Sequence, residues 1–81
     1  MTNRVSMSNT NNDFMQIKRY VMEFANDTIR QDKGNAFMRP EIRKRRRARI
    51  EEIVRLYKSF RITTTEAIQC ILEVGTGHYN G

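Results

Sequence analysis

Residues 43–49 read Arg-Lys-Arg-Arg-Arg-Ala-Arg, six cationic side chains in seven positions. Five of the six are arginine. A guanidinium group presents a planar fork of donors that matches two phosphate oxygens at once and stacks on bases, which an ammonium group cannot do. The chemistry such a run offers is recognition of a polyanion. Residues 39–60 hold nine basic and three acidic side chains, net +6, against +1 for residues 1–38 and −1 for residues 61–81. The net charge of the whole chain is +6, so its excess sits in one middle segment. A field concentrated in this way is lowered in free energy by nucleic acid, an anionic membrane or an acidic protein surface.

Arg43, Lys44, Arg45, Arg46, Arg47 and Arg49 are the candidate phosphate contacts, with Arg39, Arg55 and Lys58 extending the same strip. A solvated charged helix would interleave acids with these bases, as Glu51 and Glu52 begin to do. Between Arg43 and Arg49 there is no acid, and each i, i+3 and i+4 pair of like charges is unfavourable by a few tenths of a kcal/mol. Insertion into a membrane surface needs an apolar face on the same turns, and Ala48 alone stands among these cations. Nucleic acid is therefore the favoured partner. The major groove of DNA admits such a helix, with arginine pairing to guanine. DNA is preferred slightly over RNA because helix periodicity ties the basic arm to a packed body short enough to favour dimers. An RNA-binding arginine-rich motif and a non-enzymatic adaptor docking on an acidic protein are the alternatives.

Other residues give no sign of catalysis. His78 is the one histidine, without Cys, His or paired acids beside it, and reads as surface imidazole. Cys70, the one cysteine, excludes an internal disulfide and a paired-cysteine zinc site, and its place between Ile68 and Ile71 reads as packing. Gly75-Thr76-Gly77 lacks the lysine of a phosphate loop. The five methionines read as adaptable packing. Tyr20 and Tyr57 read as core-edge aromatics with their hydroxyls in water. The expectation is a non-enzyme with no catalytic residue, cofactor or metal.

These cations need elements to hold them, and the sequence predicts an all-α domain of three helices over residues 13–75. Residues 1–12 are rich in Asn, Ser and Thr and predict a flexible polar tail. Asp13 is the expected cap of a first helix over residues 14–30, with Phe14, Ile17, Val21 and Phe24 on its apolar stripe and Met15, Tyr20, Ala25 and Ile29 widening it. Gln31-Asp32-Lys33-Gly34-Asn35 predicts a turn with Gly34 as a left-handed stop. Pro40 then suits the first turn of a second helix over residues 40–60. Ile50, Ile53, Val54, Tyr57 and Phe60 line one face of it, and the same face traced backwards meets Arg47, Arg46 and Arg43. Unpaired arginines cannot enter a core, so the first half of this helix is expected to project as a basic arm.

The third helix, residues 64–74, opens on the capping-box sequence Thr63-Thr64-Thr65-Glu66 and is stopped by Gly75. Ala67, Ile68, Ile71, Leu72 and Val74 form its buried face, and residues 76–81 are an expected loose end. Phe60-Arg61-Ile62-Thr63 with Ala67 and Ile71 follows the hydrophobic spacing of a helix-turn-helix. Tyr57 and Arg61, however, replace the small residue and glycine of that motif. The third helix also carries Glu66 and Glu73 with no cation, so phosphates would repel it and it is assigned to the core or a dimer contact.

At 81 residues the chain has room for one small domain, for which a homodimer through the apolar helix faces would add core. No apolar run approaches the roughly 18 residues of a membrane span, and residues 1–12 have no signal-peptide core. The expected location is intracellular: cytoplasmic or nucleoid-associated in a bacterial or viral setting, nuclear in a eukaryotic one. The functional expectation is a DNA-binding regulator or accessory factor of transcription or replication.

Overall fold

A computed structural model describes residues 8–77, which form three α-helices: α1 (Ser8–Lys33), α2 (Pro40–Lys58) and α3 (Thr64–Gly75). Among the described residues there is no strand, and each helix packs on the other two. The all-α, three-helix class is as the sequence predicts. The tails expected at residues 1–12 and 76–81 lie outside the described residues at 1–7 and 78–81, and His78 with them.

Between those limits the boundaries shift. The first helix is already formed at Ser8 and runs through Asp13, so Asp13 does not cap it. It also continues past Arg30 to Lys33, carrying Asp32 into the helix rather than a turn. Gly34 is not left-handed: positive φ occurs among the described residues only at Phe60 and Gly77. The link to α2 is closed instead by Asn35, whose carbonyl accepts from the Met38 N–H and whose side chain accepts from the Phe37 N–H. Arg39 is extended, as the residue before a proline tends to be, and Pro40 opens α2 where its missing N–H costs nothing.

The core follows from two mirrored stripes. On α1 the buried positions are Val21, Ala25, Thr28 and Asp32; on α2 they are Arg46, Ile50, Ile53 and Tyr57. Each set steps by four, three and four residues, the spacing that keeps one face of a helix inward. The two helices run antiparallel across the short link, so the ends of the stripes meet at Asp32 and Arg46. Ala67, Ile71 and Val74 of α3 cover both. Ile50, Ile53, Ile71, Val21 and Val74 are the largest fully buried side chains. Burying each contributes roughly 1.5–3 kcal/mol, which makes this small cluster the main stabilising term.

The buried face of α1 is therefore rotated from the expected one. Phe14, Met15, Ile17 and Tyr20 are exposed, and Phe24 and Ile29 only border the core. On α3, Leu72 is likewise exposed and Ile68 half-buried. Thr28 is tolerated inside because its hydroxyl donates to the Phe24 carbonyl at 2.9 Å. Tyr57 is buried with its hydroxyl bonded to Thr64 Oγ1 at 2.9 Å, not in water.

The helix ends show how α3 is set. The Thr63 hydroxyl accepts from the Glu66 N–H at 3.1 Å and the Glu66 carboxylate accepts from the Thr63 N–H at 2.8 Å, the reciprocal bonds of a capping box. α3 includes Gly75, and the left-handed residue that ends it is Gly77, φ 85°, whose N–H bonds to the Val74 carbonyl. α2 ends two residues earlier than expected, at Lys58, with Phe60 outside it.

Candidate nucleic-acid interface

The nine candidate cations divide by what their surroundings do with them. Arg46 is buried, 6% exposed, on the inward stripe of α2. Its Nε donates to one carboxylate oxygen of Asp32 at 2.8 Å and its Nη2 to the other at 3.1 Å. This two-point pair fixes where α1 meets α2. It also removes Arg46 from the phosphate contacts expected of it, and it keeps this turn of α2 against the body rather than projecting. An arginine can enter the core here because its partner enters with it, and no buried side-chain nitrogen or oxygen among the described residues lacks a hydrogen bond.

Arg43 is half-buried and spent on the backbone. Its Nε donates to the Asp32 carbonyl at 3.1 Å, and its Nη2 donates to the Met38 carbonyl at 2.9 Å and the Asn35 carbonyl at 3.3 Å. The guanidinium thus takes up carbonyls at the end of α1 and in the link, a second reason why the basic half of α2 lies against the body. Orphan carbonyls at a helix C-terminus favour a cation, by hydrogen bonding and by the helix dipole.

The remaining cations face outward. Arg39, Lys44, Arg45 and Arg47 are exposed at the start of α2, and Arg49 is half-exposed. Arg47 pairs with Glu51 at 3.1 Å and Arg49 with Glu52 at 3.1 Å, both within one turn and open to water. Exposed pairs of this spacing contribute only about 0.3–0.5 kcal/mol, so a phosphate can displace the carboxylate. Arg55 and Lys58 are exposed two turns or more further along α2. The strip is therefore continuous in sequence but splits in space into a dense tip and two outlying cations.

One residue at this tip escaped the sequence reading. Lys33, the last residue of α1, lines with Pro40, Arg43, Lys44 and Arg47 a surface cavity of about 190 Å³ floored by Ile29 and Asp32. The signal available in sequence was only a cation in the last turn of a helix, and a boundary set at Arg30 hid even that. The antiparallel turn brings the end of α1 and the start of α2 together, so four cations from two helices surround one hollow. The single carboxylate there among the described residues, Asp32, is engaged by Arg46. What the arrangement can do chemically is hold an anion, with Lys33 and Lys44 as donors, Arg47 joining them where a phosphate displaces Glu51, and Arg43 adding charge while bound to the backbone.

Cys70 is half-buried with its thiol free. No helix among the described residues is long and apolar enough to cross a membrane. The chain matches no protein-family model, no curated protein and no solved structure.

Proposed function

We propose that the protein binds nucleic acid, duplex DNA before RNA, through the cationic tip formed by the end of α1 and the start of α2, and serves as a regulator or accessory factor of transcription or replication. One observation carries this reading: Lys33, Arg43, Lys44 and Arg47 surround a hollow whose only carboxylate among the described residues is already paired with Arg46. Self-repulsion among these cations is relieved by phosphate, with release of condensed counterions from the nucleic acid. Arg39, Lys44, Arg45 and Arg47 are the outward residues that make the contacts, and Lys33 joins them from α1. The exposed face of α2 fits the width of the major groove.

The test is a titration of blunt duplex DNA by fluorescence anisotropy across a range of salt. With about five cations meeting phosphates, log K should fall with log salt at a slope near −4 to −5. Changing Lys44, Arg45 and Arg47 together to Ala should reduce the steepness of that slope by about 3 while leaving the thermal midpoint unchanged. Arg46 is left out of the set because its loss would unfold the tip rather than uncharge it. A triple variant that binds as tightly as the wild type, with the same slope, overturns the proposal. Competition by structured RNA at fixed salt decides between the two nucleic acids.

A further inference from the structure

The opposite end of α2 carries a residue whose backbone runs against its side chain. Phe60 has φ 61°, in the left-handed region. It follows Ser59 at the end of α2, its N–H bonding to the Tyr57 carbonyl at 3.1 Å, while the Arg61 N–H bonds to the Leu56 carbonyl at 2.8 Å. These two bonds make the helix stop that glycine ordinarily serves, as Gly77 does in the corresponding place after α3. A bulky side chain there is strained, and strain of this kind persists where the side chain has a use. The core does not supply that use, since Phe60 is 77% exposed and belongs to none of the buried cluster. Its one stacked aromatic neighbour among the described residues is Phe14 on α1, with ring centroids 6.4 Å apart and planes within 13°.

The two rings border a cavity of about 320 Å³ whose wall also includes Lys18, Arg61, Thr63 and Thr64. Among the described residues two cations and no carboxylate line it, and neither Lys18 nor Arg61 enters an ion pair with another of them. A second copy of the chain fits poorly, because a two-fold contact through this patch sets its cations against one another. Flat apolar rings beside cations and hydroxyls suit a ligand that is planar at one end and anionic at the other. We propose that Phe14 and Phe60, with Lys18 and Arg61, form a stacking site for an unpaired nucleotide, the base lying on the rings and its phosphate held by the cations. The site rests on the reading that nucleic acid is the partner, and adds that the bound form includes a single-stranded segment. Phe60 stands roughly 20 Å along the α2 axis from Arg47, about six base steps, so one nucleic acid can reach both ends.

Anisotropy with a blunt duplex, and with the same duplex bearing a ten-nucleotide dT tail on either strand, tests this. The wild type should bind a tailed duplex about fivefold or more tightly than the blunt one. Phe60→Gly and Phe14→Ala should each lose that increment and keep the blunt-duplex affinity, and Phe60→Tyr should retain it. The thermal midpoint of Phe60→Gly should not fall, since glycine suits the helix stop, and this separates a lost ring from a lost fold. Equal affinity of the wild type for blunt and tailed duplexes overturns the site, as does an increment that survives in Phe60→Gly. A dimer of the free protein in sedimentation that Phe60→Gly abolishes also overturns it, giving the patch to a second copy. Failure of the wild type to bind blunt duplex overturns the cationic-tip reading instead. The dT strand alone, compared between the wild type and Phe60→Gly, then decides the aromatic site, with equal affinities counting against it.

Discussion

Neighbouring arginines of one run do three different jobs. Arg46 is sealed against Asp32, Arg43 binds backbone carbonyls, and Arg47 stands in water with a carboxylate a turn away. Composition cannot separate them, because the sorting depends on a partner fourteen residues off on another helix. The spacing did contain the answer: Arg46 is in step with Ile50, Ile53 and Tyr57, and Asp32 with Val21, Ala25 and Thr28. Reading arginine as necessarily outward hid it. Arg46→Ala should cost about 3–5 kcal/mol in urea unfolding, because it strands the Asp32 carboxylate. Replacing both partners, Asp32→Leu with Arg46→Met, should recover most of that loss, since the ionic pair repays little more than its own desolvation. A double variant as unstable as the single one would show that the pair contributes attraction beyond its burial cost.

At the scale of elements, the starts of α2 and α3 were more legible than their stops, whereas α1 begins well before its expected cap at Asp13. Pro40 and the Thr63–Glu66 box mark where α2 and α3 begin, because capping is local chemistry written within four residues. Thr63→Ala should lower stability by about 1 kcal/mol in urea unfolding, with affinity for blunt duplex DNA unchanged. The stops were misplaced because glycine was taken as the signal. Gly34 and Gly75 do not act as left-handed stops, and a phenylalanine does so after α2. The face of α1 was misread for a related reason. Phe14, Ile17 and Tyr20 dominate any hydrophobic count, yet of the expected stripe only the smaller Val21 and Ala25 are buried, and Thr28 joins them. Small side chains let α1 lie close to α2 and α3, a requirement of the partner helices that α1 alone does not display.

For the whole molecule, the three-helix class and the location of the charge were legible, since both follow from periodicity and composition. The cationic hollow was not, because it exists only once an antiparallel turn sets Lys33 beside Arg43, Lys44 and Arg47. The same turn explains a gradient of stability. Residues 14–17 of α1 are exposed throughout, whereas the span from Val21 to Asp32 has its inner face buried. In native-state hydrogen exchange, amides of residues 14–20 should exchange by local opening well before those of residues 25–32 and 50–57. Uniform protection along α1 would mean that something further covers its first half.

The bonding of Arg43 to the link between α1 and α2 has a consequence for encounter with a polyanion. Positive charge gathered at one pole gives the molecule a permanent electrical asymmetry, and under the proposed function an approaching strand would turn it pole-first before the surfaces touch. Because that pole is internally braced, it arrives already shaped, with little ordering entropy left to lose on capture.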